Sequence, residues 1–336
     1  TKQIQLPEIT FQDLIFLYSA MIRIAELPFD DKFLNIDSKN LSIPVILNNA
    51  TDMKVRINAA HKSFYDQLLS SQSLAALYQS VDFDSDQLNN IEETVNEYSS
   101  NKELLMAYFY QLVNVQIFPT ERLEALIKFW NFAKDNNLEK IAHELSLQTI
   151  MVLEPSVESS KYGIEISSAL ISNLKYTEAS KWIAYYENIN KKDIRSTQLS
   201  MLLDLYQSND INKFVDFIIE NKDKFNESGN EIKEIIFILL EIFSDEDPNY
   251  LILSTNNIFD KREMISLSLR NEIKKSINDN DYEKFLFLIL SSINNKNWNE
   301  LHPEHLKIII SGFKVFENND NTINIILEIF KNYKII

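Results

Sequence analysis

The residues that could do chemistry are few, and most are acidic. The segment DFDSDQLNNIEE places Asp82, Asp84, Asp86 and Glu93 at positions 1, 3, 5 and 12 of a calcium-binding loop. Such a loop turns sharply on a glycine at its sixth position and carries an apolar residue at its eighth, where this chain has Gln87 and Asn89. The segment is therefore expected to start a helix near Asp86, its carboxylates capping the first turn and complementing the helix dipole. His302 and His305, with Glu300 and Glu304, would put metal ligands on one helical turn, but a zinc site needs three or four ligands and no third histidine is near in sequence. His302-Pro303 reads instead as a helix cap followed by a first-turn proline. His61 and His143 fall in helical stretches and are expected as surface or satisfied core residues rather than catalytic bases. No serine, histidine and acid set can be assembled from local spacing. No catalytic residue, metal ligand or cofactor is assigned.

Two further acidic segments, DDKF at 30–33 and NDNDYE at 278–283, resemble the magnesium motifs of helical prenyl-diphosphate enzymes. The resemblance implies two facing acidic clusters around a deep apolar pocket. It supports the alternative reading of the chain, an all-helical enzyme acting on glycans or isoprenoids. The second segment is also explained as a turn between helices. Phe129, Trp130, Phe132, Trp182, Tyr185 and Tyr186 recur at helical spacing and are expected to pack between helices, a fraction of them lining a groove.

The elements that must position these residues are helices. The 336 residues include only 3 glycines, Gly163, Gly229 and Gly312, too scattered for a phosphate-cradling loop. With only 7 prolines as well, the chain lacks the turn chemistry of a sandwich or barrel. A net charge of −16 repels nucleic acid and anionic membrane surfaces. The longest apolar run, IIFILLEIF from Ile235 to Phe243, is too short to span a bilayer and contains Glu241, so no membrane insertion is expected. Cysteine is absent, which removes disulfides and thiolate chemistry and favours an exported, periplasmic placement over the cytoplasmic alternative. The opening on Thr1 fits a removed signal peptide and equally a trimmed chain.

One pattern recurs. Six segments starting at Lys102, Leu138, Tyr176, Ile211, Tyr282 and Thr322 each follow a turn-forming stretch. Three residues on stand Leu105, Ile141, Ala179, Phe214, Phe285 and Ile325; seven on stand Phe109, Leu145, Ile183, Ile218, Ile289 and Ile329. Positions +3 and +7 share a helix face, so each segment predicts a helix with the same buried stripe. The starts lie 36, 38, 35, 71 and 40 residues apart, the 71 holding a worn copy near Asp247. Partner helices are predicted over 119–134, 156–173, 193–207 (capped by Asp193), 229–244, 262–277 and 302–316. A period of this length is one helix–turn–helix unit, which predicts an α-solenoid of antiparallel helix pairs.

In YTEASKWIAYY, with Tyr176 and Ala179 in the turn-aromatic and small-residue places, the chain resembles the tetratricopeptide-repeat (TPR) family over residues 101–336. It departs from that family at the turn glycine, replaced by Leu174 or Lys175, at the bulky Phe214 and Phe285, and in lacking the closing proline. The C-terminal NELHPEHLKIIISGFKVF is also similar to the end of uncharacterised exported helical-repeat proteins of alphaproteobacteria, which brings no known activity. Residues 1–100 carry no such register. ITFQDLIFLYSAMIRIAE and DMKVRINAAHKSFYDQLLSSQSLAALYQSV are predicted as two long helical stretches, forming a cap region before the 101–336 repeats. The TPR resemblance implies that the first helix of each pair lines a concave face holding a protein or peptide. With this net charge the partner would be basic or neutral. Glu121, Lys128, Arg195 and Gln198 are the expected contacts, against Glu178 and Lys213 on the second helices. The function expected is a non-enzymatic interaction scaffold or adaptor.

Overall fold

The computed structural model describes residues 11–35, 41–190, 194–208, 210–221, 223, 229–244, 262, 264–294, 296–316 and 319–333. Among these the protein is all-α, with eighteen α-helices and no strand. The chain divides into two compact units, Thr1–Glu154 and Pro155–Ile336, so the change of texture at residue 100 lies within the first.

The first unit runs α1 (Phe11–Ile24), α2 (Ser42–Ile46), α3 (Met53–Tyr65), α4 (Ser71–Gln79), α5 (Ser85–Asn89), α6 (Ile91–Glu97), α7 (Lys102–Val115), α8 (Pro119–Asp135) and α9 (Glu139–Met151). The predicted long helix over 52–81 is two helices. Gln67 takes a left-handed φ of 60° and ends α3, while Asp52 and Ser70 cap α3 and α4 by accepting from backbone N–H groups of their first turns. α3 and α4 pack on α7, and α4 also packs on α9. Their shared core includes Ile57, Leu74, Tyr78, Met106 and Leu112, all fully buried, each such side chain stabilising by about 1.5–3 kcal/mol.

The second unit runs α10 (Gly163–Ser172), α11 (Tyr176–Ile189), α12 (Ile194–Ser208), α13 (Ile211–Glu220), α14 (Asn230–Phe243), α15 (Leu267–Asn278), α16 (Tyr282–Ile293), α17 (Pro303–Val315) and α18 (Asn319–Asn332). The helix expected from residue 156 starts at Gly163 instead. Ser156 and Ser159 exchange hydrogen bonds between their hydroxyls and backbone N–H groups (2.9 and 3.2 Å), a local alternative to helix that holds 156–159 as a turn. The helix expected from 262 starts at Leu267, because Ser266 caps it by accepting from Leu269 N. Asp193 and the worn copy near Asp247 lie outside the described residues.

Three helix pairs after residue 100 share one turn, whose closure also ends α1 at Glu26 and α3 at Gln67. Asn137, Leu174 and Asn280 adopt left-handed φ values of 58°, 59° and 54°. In each case the next residue's N–H reaches back across the helix end: Leu138 to Ala133 O (2.8 Å), Lys175 to Leu170 O (2.9 Å) and Asp281 to Ser276 O (2.9 Å). This is the Schellman closure, here made without glycine. Superposing these turns aligns Glu139, not Leu138, with Tyr176 and Tyr282, so the second copy's register shifts by one residue. The residues it then brings to +3 and +7, Ala142 and Ser146, are buried, as are Ala179, Ile183, Phe285 and Ile289. In the original register the stripe is buried too, except at Leu145 and Ile325, which are half-buried. α18 begins three residues before Thr322, at Asn319.

Packing in the second unit does not follow chain order throughout. α10, α11, α12, α13 and α14 pack each on the next, but α14 then meets α17, and α18 meets α12. Phe330 of α18 stands edge-on to Phe214 of α13, with ring centroids 6.1 Å apart. The α15–α16 pair packs on α17, where Phe285 lies 5.1 Å from Phe313 and the lack of a Cβ at Gly312 makes room for the Phe285 ring, and Asn321 of α18 donates to the Tyr282 hydroxyl at 3.1 Å. One apolar cluster joins these helices, from Met201 to Tyr333.

Candidate functional site

The acidic segment is helical, as α5 and α6, and not an open calcium-type loop. Asp84 accepts from Gln87 N (2.8 Å) while the Gln87 side chain accepts from Asp84 N (3.1 Å), a reciprocal capping box that starts the helix at Ser85. The backbone carbonyl of Gln87 takes hydrogen bonds from Thr94 Oγ1 (2.8 Å) and the Tyr108 hydroxyl (2.9 Å), fixing the segment to α6 and α7. His302 caps α17, its Nδ1 accepting from Glu304 N at 3.2 Å ahead of Pro303. In DDKF, Asp30 accepts from Lys32 N; in NDNDYE, Asp281 caps α16 by accepting from Lys284 N. Among the described residues no three His, Asp or Glu side chains gather as metal ligands would.

Two histidines are buried. His61 Nε2 lies 2.5 Å from the hydroxyl of fully buried Tyr78, and burial, with the charge of Lys102, lowers its pKa to about 4. His305 Nε2 lies 2.9 Å from Ser292 Oγ, and burial, then Lys296 and His302, lowers its pKa to about 4. Both imidazoles are neutral at pH 7 and occupied in core hydrogen bonds. His143 is half-buried, its ring edge-on to Trp130 at 5.5 Å. Of the singled-out aromatics, Phe129, Trp130 and Trp182 are buried; Phe132, Tyr185 and Tyr186 are partly so.

Glu121, Lys128 and Arg195 are exposed, Arg195 within 3.3 Å of Glu165. Gln198 corrects the expectation: it is 6% exposed, in a run of buried residues from Ser196 to Leu199 where α12 is covered on more than one side by α10, α11 and α13. Glu121 and Lys128 belong to the first unit and Arg195 and Gln198 to the second.

Sequence reasoning missed two surfaces. On α1, Leu14, Leu17, Tyr18, Met21 and Ile24 are exposed, an apolar stripe at heptad spacing, with Ser19 and Ile22 as the buried side. Their spacing was legible, but not which side faces outward. In the second unit, Tyr176 stacks on Tyr206 (centroids 4.0 Å, planes 28° apart), and Glu328 accepts from Trp298 Nε1 at 3.1 Å. Burial first, then Tyr206 and the Glu328 charge, raise the pKa of Tyr176. Tyr176 starts α11, Tyr206 lies near the end of α12, and Trp298 opens the turn before α17. Only Tyr176 had a sequence signal, as the first residue of a repeat.

Comparisons with protein-family models, with curated proteins and with solved structures found no match for this chain.

Proposed function

We propose that this protein is a non-enzymatic interaction scaffold of TPR-like antiparallel helix pairs that holds a basic or neutral protein or peptide. The observation that carries the reading is the repeated hairpin. Three pairs close on the same left-handed turn and bury the same stripe, which commits their inner faces to packing and leaves the outer faces for recognition. On this reading α3 and α4 act as the cap of the α8–α9 pair within the first unit, and within the second unit the pairs form a stack interrupted where α17 and α18 pack on α14 and α12. Within each unit the concave surface is assigned to the first helices, with Glu121 and Lys128 as contacts in the first unit and Arg195 in the second. A net charge of −16 favours fast capture of a basic partner. The rival enzyme reading gains nothing from the histidines and acidic segments described, which serve as caps, turns and core hydrogen bonds.

The test is cross-linked capture from the native cells with Glu121→Lys, Lys128→Glu and Arg195→Glu. Loss of the captured partner with melting unchanged is expected, since exposed substitutions shift stability by only about 0.5 kcal/mol. Full capture by these variants, with loss in Glu178→Lys and Lys213→Glu, would place the working face on the second helices and refute the assignment.

A further inference from the structure

Tyr176 and Tyr206 stack face to face, with ring centroids 4.0 Å apart and planes 28° from parallel. They come from different helices of the second unit, Tyr176 from the start of α11 and Tyr206 from near the end of α12. Tyr176 is half-buried against the apolar cluster of that unit, whereas Tyr206 keeps 44% of its surface exposed. One ring is held, and the other is open to solvent and has room to slide on it. A phenol gives up an electron and its hydroxyl proton to a one-electron oxidant, and the unpaired electron then spreads over the oxygen and the ring carbons beside it. Cysteine, which competes for such oxidants, is absent from the chain.

We propose that Tyr176 and Tyr206 are a modification site at which a one-electron oxidant joins α11 to α12 through a dityrosine bond. The oxidant is hydrogen peroxide acting through a haem peroxidase. Each tyrosine loses one electron and one phenolic proton, and the two phenoxyl radicals couple in the stack, where their half-filled π orbitals face each other. A carbon–carbon bond forms between the ring positions adjacent to the hydroxyls. Each of those carbons releases its hydrogen as a proton while each oxygen takes one up from water, which restores both phenols. In sum two hydrogens leave the pair and one peroxide is reduced to two waters. The bond closes the chain from 176 to 206 into a loop, as a disulfide does, in a protein with no cysteine to make one. A second tyrosine pair, Tyr78 and Tyr110 of the first unit, lacks both conditions. Its planes meet at 60° with centroids 5.7 Å apart, and Tyr78 is fully buried with its hydroxyl 2.5 Å from His61 Nε2. The inference does not depend on the scaffold reading or on its choice of face.

The test treats the full chain with a haem peroxidase and hydrogen peroxide and maps the digested product by tandem mass spectrometry. The expected product is one peptide pair joined at Tyr176 and Tyr206, lighter by two hydrogens than its parts. Links within one molecule are expected to exceed links between molecules by about a hundredfold at micromolar chain, because the stack holds the rings at an effective concentration of roughly millimolar or more. Tyr176→Phe and Tyr206→Phe keep an aromatic ring but remove the phenol, and each is expected to abolish the product. The second unit of the oxidised parent is expected to melt about 5–10 °C higher than that of either oxidised variant, since the closed loop restricts its unfolded chain. Absence of the link between Tyr176 and Tyr206, links between molecules in equal amount, linkage of Tyr78 to Tyr110 at the same rate, or an unchanged melt of the linked chain overturns the proposal. Any of these leaves the charge-reversal capture experiment unaffected, so the two readings fail separately.

Discussion

α1 and α18 are both 14-residue helices, one in each unit, and they differ in a way that runs against composition. α1, FQDLIFLYSAMIRI, has ten apolar residues, and α18, NDNTINIILEIFKN, has six. Yet α18 buries Ile323, Ile326, Leu327, Ile329 and Phe330, while α1 leaves Leu14, Leu17, Tyr18, Met21 and Ile24 exposed, the last at 85%. The polar residues of α18 confine its apolar ones to a single band that fits against α12, α13 and α17. In α1 the apolar residues encircle the axis, and the body of the unit covers only a narrow side. Apolar content supplies the driving force for burial, but a matched opposing surface determines whether burial occurs.

The comparison breaks first at Phe330. Phe330→Ala should cost about 3–5 kcal/mol in denaturant melts, since it empties a fully buried site between α13 and α18. A loss below 1 kcal/mol would mean that α18 is no better anchored than α1.

Acid tests both units together. His61 and His305 have pKa values of about 4 in the fold against 6.5 unfolded, so between these values the unfolded chain binds more protons. Stability is full above about pH 6.5 and falls as pH drops towards 4, by on the order of 3 kcal/mol for each histidine. Urea melts from pH 7 to 4.5 should show this slope, and His61→Gln and His305→Gln should each flatten it. An unchanged slope in both variants would show that these imidazoles are hydrated.

Gly312→Ala places a methyl group into the Phe285 ring and should destabilise the second unit by about 1–3 kcal/mol. Leu174→Gly should do the opposite, stabilising by up to about 1 kcal/mol, because an exposed leucine there holds a left-handed φ of 59° that glycine adopts without strain. Destabilisation by that change would disprove the shared turn. The smallest effects belong to α1. Met21→Ser and Ile24→Ser should lie within about 0.5 kcal/mol of the parent, and a larger loss would show that α1 is covered in solution.

Much of the local structure was legible. The Asp84–Gln87 cap, the His302-Pro303 helix start and the +3/+7 stripe depend on neighbours a few residues away, and sequence spacing encodes those interactions directly. Errors arose where short side chains offered the backbone a competing bond, as at Ser156 and Ser159, or where a left-handed residue other than glycine ended a helix, as at Gln67. Gln198 was misplaced for a different reason: its exposure is set by three surrounding helices rather than by its own.

Helicity, the starts of most helices and the buried +3/+7 positions were legible from sequence, because glycine scarcity, caps and periodicity act over one or two turns of chain. Only tertiary packing set that α18 returns to α12, that Tyr176 stacks on Tyr206, that Trp298 bonds Glu328, and that the apolar stripe of α1 faces outward. Those outcomes depend on pairings between segments tens to more than a hundred residues apart, where many arrangements satisfy the same local pattern and only complementary packing selects among them.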